Sequence, residues 1–267
     1  MREVAARPVR AVGWFLLIVA GVVIVVAMLT AALRPGAATP PIMSDALGPE
    51  NGERVDDYLD FAASTLVDPD GDPNAPRWAL VSYDGARPTD EAAAAIDAAG
   101  IERISQVLLN TPVEGVSMPV IPAAVAAPTS TDDGHSGPLG RAATSAVTNG
   151  LYALDHPGDG VPTAGTTGEQ APTQQADARE RAKFELTADT VRHEGEAVIG
   201  VIVRADVEQL RALAASRDST AVRSVEALPP DAVWGRFAVR PLLPGYTDVV
   251  APLPDDAAVP GIAQSDE

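Results

Sequence analysis

The residues from Ala11 to Leu33, AVGWFLLIVAGVVIVVAMLTAAL, carry no charge and only one hydroxyl, that of Thr30. At about 1.5 Å per residue a helix of this length covers roughly 34 Å, enough to cross a hydrocarbon core of about 30 Å. The run therefore predicts a transmembrane helix over 11–33, and everything else in the chain has to fold on one side of it or the other. Arg2, Arg7 and Arg10 precede it against Glu3, whereas Arg34 stands alone behind it. This bias places residues 1–10 in the cytoplasm and residues 35–267 outside. Trp14 sits where the headgroup belt accepts an indole. The competing reading is a signal peptide cleaved near Gly36-Ala37-Ala38. The apolar run is longer than the usual 7–15-residue signal core, which favours the anchor.

The exterior part is acidic. Lys and Arg number 19 against 37 Asp and Glu, for a net charge of −18, a balance that excludes binding of nucleic-acid phosphate by the bulk surface. Only one of the 19 cations, Lys183, is a lysine. There is no Cys, so an exported domain has to be held by packing alone.

Prolines 35, 40 and 41 and Gly48 mark residues 34–48 as a spacer. In ENGERVDDYLDFAASTLV (50–67), Val55, Tyr58, Leu59, Ala62 and Leu66 fall on one helical face. Arg77–Tyr83 reads as a strand. Pro88-Thr89-Asp90-Glu91 then opens a helix, with Thr89 a hydroxyl cap candidate, and Gly100 closes it. Ile101–Leu109 reads as a strand and Val113–Ile121 as an edge segment, because Pro119 cannot donate to a ladder. Ala178–Val191 predicts a helix with Phe184, Ala188 and Val191 on one side. Ala197–Val203, AVIGVIV, is a β-branched run of the kind buried on both faces. Asp206 with Gln209 has capping-box spacing. Val222–Leu228 and Val233–Val239 complete the set, the last by alternation.

The order helix–strand–helix–strand–strand thus occurs at 53–121 and again at 178–240. The predicted fold class is α/β (mixed α+β) with a mixed sheet: a single N-terminal transmembrane helix plus an exterior domain of two similar αβαββ halves, 49–128 and 178–251. Between them, 129–177 reads as a flexible polar insert with a short helix at 141–154 broken at Asn149-Gly150. Residues 252–267 read as a disordered acidic tail.

Catalytic signatures are not found. The sequence contains no GxSxG elbow, Walker loop or GxGxxG turn, so no catalytic residue and no cofactor is assigned. DPDGDP (Asp68, Asp70, Asp72) resembles a calcium loop, but Pro73 and Ala79 stand where Gly and Glu are required. The histidines 135, 156 and 193 lack ligand spacing, so no metal site is assigned. Asp84-Gly85 reads as an exposed turn. One constellation remains as a candidate ligand site. Trp234, Arg236 and Arg240 lie on one predicted strand, and an arginine beside an aromatic suits a carboxylate, a sugar or a headgroup. Arg223 is a further cation nearby in sequence. The competing reading is a solvated sheet face that neutralises acids such as Asp231.

The single anchor, LGPENGERVDDYL (47–59), RWALVSYDG (77–85) and LPPDAVWGRFAVRPLLP (228–244) together resemble the actinobacterial trehalose monomycolate transport factor A family over most of 40–250. The resemblance implies a non-enzymatic accessory protein of the inner (plasma) membrane. Its partners would be an MmpL-type lipid transporter and membrane lipid, its role the delivery of mycolate glycolipid for envelope assembly. It supplies no catalytic residues. Two alternatives stay open from the residues alone: an exported lipid- or glycan-binding module, and an exported hydrolase.

Overall fold

The structure, a computed structural model, describes residues 45–67, 72, 74–126, 137–156 and 174–261. The predicted anchor at 11–33, and Asp68 and Asp70 of the DPDGDP stretch, lie outside the described residues. Among the described residues no helix is long and apolar enough to cross a membrane.

In chain order the elements are β1 (Ala46–Leu47), α1 (Val55–Ser64), β2 (Arg77–Arg87), α2 (Thr89–Ala98), β3 (Arg103–Leu109), β4 (Ile121–Ala124), α3 (Pro138–Asp155) and α4 (Gln174–Arg192). After these come β5 (Val198–Ala205), α5 (Val207–Ala215), α6 (Arg217–Thr220), β6 (Val222–Ala227) and β7 (Ala238–Val239). The domain is mixed α/β. Five strands form one sheet in the order β4-β3-β5-β2-β6. Every neighbouring pair in it is antiparallel, so the mixed sheet expected from sequence is corrected. The two units β2-α2-β3 and β5-α5-β6 interleave, with β2 and β5 side by side at the centre. This is the split βαβ arrangement of ferredoxin-like folds, with β4 added at one edge. Pro122 sits in that edge strand, where a missing donor is tolerated.

Local signals account for most boundaries. Asp206 Oδ1 accepts from Gln209 N at 2.8 Å while Gln209 Oε1 accepts from Asp206 N at 3.2 Å, a complete capping box. Helix α2 ends in a Schellman turn: Gly100 takes φ +69°, Gly100 N donates to Asp97 O and Ile101 N to Ile96 O. Its N-cap is Pro88 rather than Thr89, and no side chain caps it.

Alternation along the strands divides the side chains between two layers. Ala79, Val81 and Tyr83 of β2, with Val201 and Val203 of β5, face a helical layer made by α2, α3, α4 and α5. Ile96, Leu139, Val147, Ala188, Leu210 and Leu213 fill the space between. Helix α3 is part of this core and runs unbroken through Asn149-Gly150, which corrects the reading of 129–177 as a flexible insert over 138–155. The glycine that suggested a break is needed for helix contact, since a Cβ on Gly150 would lie 2.1 Å from Phe184 Cζ.

The opposite face, with Trp78, Leu80, Leu108 and Ile202, is covered by β1 and the segment after β6. Helix α1 packs beside it through Val55, Tyr58 and Ala62 against Leu242 and Val250. The end of the expected spacer belongs to this layer. Ala46 and Leu47 pair in parallel with Ala238 and Val239. Gly48 then turns with φ +103° against the Arg240 carbonyl, which leaves no room for a side chain.

Within the expected disordered tail, the stretch around Asp255 and Ala257 is also docked. Asp255 accepts from Arg179 at 2.8 Å, from Lys183 at 3.0 Å and from Ser117 N at 3.1 Å. Ala257 N donates to Gly115 O at 2.9 Å. The single lysine is thus a nearly buried clamp for the C-terminal segment, with a side chain 3 % exposed.

Candidate functional site

The stretch that carries the predicted site residues is not a strand over its length. Residues 233–236 form a turn, in which Arg236 N donates to Val233 O at 3.0 Å and Gly235 takes φ +78°. Only Ala238–Val239 is strand. The alternation of 233–239 imitates a half-buried strand, but a residue with positive φ in its middle breaks the pleat. Trp234, Arg236 and Arg240 therefore do not share one strand face.

The turn lays Trp234 on Trp78. Their ring centroids are 4.6 Å apart, and Phe237 meets Trp234 edge-on at 5.7 Å. Such pairs add about 0.5–1.5 kcal/mol each beyond the area they bury. Trp78 is buried beneath, whereas Trp234 keeps 43 % of its surface exposed and its neighbour Val233 54 %. The aromatic cluster thus ends in an open indole, held in place from below.

Two recesses share that indole. The first, about 540 Å³, has Leu108, Val120, Pro122 and Phe237 as an apolar floor, with Gln106 and Arg240 on its margin. The second, about 480 Å³, lies over Trp78 and is bounded by Arg103 and Arg204. Arg204 Cζ stands 5.3 Å from the Trp78 ring centroid, a cation–π contact. Among the described residues no carboxylate lines either recess, although acids outnumber bases about twofold in the chain.

Of the three residues singled out from sequence, Trp234 and Arg240 meet at the first recess and Arg236 is not part of its lining. Arg240 is steadied by a hydrogen bond to Pro49 O at 3.2 Å. Arg223 has a structural task elsewhere: it donates to Leu243 O at 3.2 Å and Tyr246 O at 2.5 Å, and burial lowers its pKa. Sequence reasoning missed Trp78, Phe237, Arg103 and Arg204. The signal for Arg204 was available, as a charge directly following the buried run AVIGVIV, but its neighbours depend on strand register.

A second polar feature lies on the same sheet face. Glu226 of β6 is buried, and its Oε2 accepts from Gly48 N at 2.6 Å and from the Tyr58 hydroxyl at 2.9 Å. Burial pushes its pKa up to about 6, against the two donors that hold it down. It ties β1 and α1 to the sheet and faces no recess described above. Asp84-Gly85 lies within β2, not in a turn, at an irregularity of the register. Asp72 caps the turn before β2 by accepting from Asn74 N at 2.9 Å. Among the described residues no group of three or more His, Cys, Asp or Glu side chains is placed to hold a metal ion.

The arrangement can hold an amphipathic molecule: apolar surface, an open indole and guanidinium donors line two recesses that share Trp234. No protein-family model, no curated protein and no solved structure matches this chain.

Proposed function

We propose that the chain is a membrane-anchored, non-enzymatic accessory factor at the outer face of the inner membrane. In this reading it supports an MmpL-type exporter of mycolate glycolipid, and its exterior domain, built from two related halves, engages lipid or transporter through the cleft at Trp234. Three things support it. The uncharged run 11–33 with its arginine-rich leading flank would confine the domain to the outer surface. The segments 47–59, 77–85 and 228–244 resemble the trehalose monomycolate transport factor A family. The observation that carries the reading is the open Trp234 indole over an apolar floor with Arg240 beside it and no carboxylate among the described residues of the lining. An exposed apolar site rimmed by polar groups marks an interaction surface.

The same observation favours a second reading, a lipid- or glycan-binding module that takes its ligand directly.

A photo-crosslinking residue in place of Trp234, in the full chain in cells, separates these. A covalent adduct with a polytopic membrane protein is the expected outcome for the accessory factor. An adduct with lipid or glycan alone supports the second reading. Adducts with neither overturn both.

A further inference from the structure

The row of side chains over Trp78 contains an arrangement that a sheet normally avoids. Trp78 of β2 is the register partner of Arg204 on β5, and Arg204 is in turn the partner of Arg103 on β3. Directly opposed side chains in an antiparallel pair share a face and lie close together, and like charges there destabilise the pairing. A carboxylate between them would remove the repulsion. Among the described residues none is present: neither arginine makes an ion pair there, and the one hydrogen bond that either guanidinium makes to them is Arg103 Nε to Ser105 Oγ at 3.1 Å. Two cations are thus held side by side, at the mouth of a recess floored by an indole, in a chain with 37 acids. A conflict of this kind between local rules and fold is where binding sites are found.

We propose that Arg103 and Arg204 form the headgroup site for an anionic lipid, whose acyl chain lies past Trp234 over Leu108, Val120 and Pro122. This inference rests on the lipid-binding reading of the cleft. Charge complementarity selects the head: paired guanidinium forks match the oxygens of a phosphate group, and Arg204 is already oriented by Trp78. The geometry of β3 selects the tail. Going along the strand from Arg103, the same sheet face next carries Gln106 and Leu108, and Leu108 has Pro122 of β4 as its register partner. Head and tail subsites are therefore adjacent, with Trp234 lining both. An inorganic anion would use only the first, and an uncharged amphiphile only the second.

The test uses the full chain in phosphatidylcholine nanodiscs, with the indole N–H resonances of Trp78 and Trp234 as the readout. Dihexanoyl phosphatidic acid, added below its micelle concentration, is expected to shift both resonances saturably. Inorganic phosphate, which has no acyl chain for the tail subsite, and dihexanoyl phosphatidylcholine, whose choline cancels the charge of its phosphate, are each expected to bind at least about tenfold more weakly. The variant R103Q/R204Q should lose about tenfold in affinity for the phosphatidic acid. If that variant does not fold, R204Q alone should lose about threefold. Equal binding of phosphatidylcholine, equal binding of free phosphate, displacement by a hexaglutamate peptide, or unchanged affinity in the variants would each overturn the proposal. The result is separable from the crosslinking outcome. An adduct of residue 234 with a transporter, together with no phosphatidic acid shift, removes the lipid site and leaves the accessory role. A shift together with a lipid adduct and no transporter adduct does the reverse.

Discussion

On the helix-covered face of the sheet, Ala79, Val81 and Tyr83 meet Ile96, Leu210 and Leu213 in an apolar layer. One residue along the same strand, Trp78, Leu80 and Ser82 point the other way, into a layer that also contains Arg103, Gln106, Arg204 and Glu226. The backbone is common to both; the covering differs. Four helices satisfy their own backbone groups and offer continuous apolar faces, so they can seal a sheet without polar side chains. The opposite cover is mostly irregular chain, which brings unpaired carbonyls and amides with it. Those are met by Glu226 at Gly48, Arg223 at Leu243 and Tyr246, and Arg240 at Pro49. The lesson is that one face holds the fold and the other is free to carry chemistry.

The largest expected effect tests the first half of that contrast. Leu210 is fully buried under the helical layer, and Leu210→Ala should lower unfolding stability by about 2–5 kcal/mol, read from the denaturant midpoint. A loss below about 1 kcal/mol would mean the layer repacks and is not the structural face.

Glu226 tests the other half. Its folded pKa is raised from an ordinary 4.5 to about 6, so the folded chain binds this proton more readily than the unfolded chain. Its contribution to stability therefore grows as pH falls through about 6, is complete below about 4.5, and is lost again as pH rises. The span corresponds to about 2 kcal/mol. Glu226→Gln should flatten this part of the stability–pH curve between pH 4.5 and 7. A curve unchanged by the substitution would show that the carboxylate is not buried as described.

The smallest effect is at the docked C-terminal segment. Arg179, and then Lys183, hold the Asp255 carboxyl well below the usual carboxylate range, so its pairing persists at neutral pH and is lost only in strong acid. Asp255→Asn should leave the denaturant midpoint within error and speed amide exchange of 253–257 alone, as should high salt in the unchanged chain. A shift of the global midpoint would make this segment part of the core and not an attachment to it.

Much of the secondary structure was legible because its causes lie within a few residues. The face of Val55, Tyr58 and Ala62, the Asp206–Gln209 box and the Gly100 turn are all short-range devices. The failures have one cause in common. Gly150 reads as a break until Phe184, 34 positions on in the chain, is seen to occupy the space of its missing Cβ. Residues 252–261 read as a solvated tail until Asp255 meets Arg179. Residues 233–239 read as a strand until the turn at Gly235 turns Trp234 onto Trp78. The smaller part of the candidate site was legible in the same way: Trp234 and Arg240 stand out as an aromatic and a cation in one short segment, whereas Trp78, Arg103 and Arg204 come from three separate strands.

The sequence by itself determined that β5 is a central, doubly buried strand, that α5 begins at Asp206, and that aromatic and cationic side chains accumulate between 233 and 240. Hydrophobic run length, capping chemistry and composition are local and survive without a partner. Only the tertiary structure decided that the two βαβ units interleave, that Trp78, Arg204 and Arg103 form one row, and that Glu226 is sealed beneath Gly48. Strand order and register are settled by pairing between distant segments, and a shift of one residue would send every one of these side chains to the opposite face.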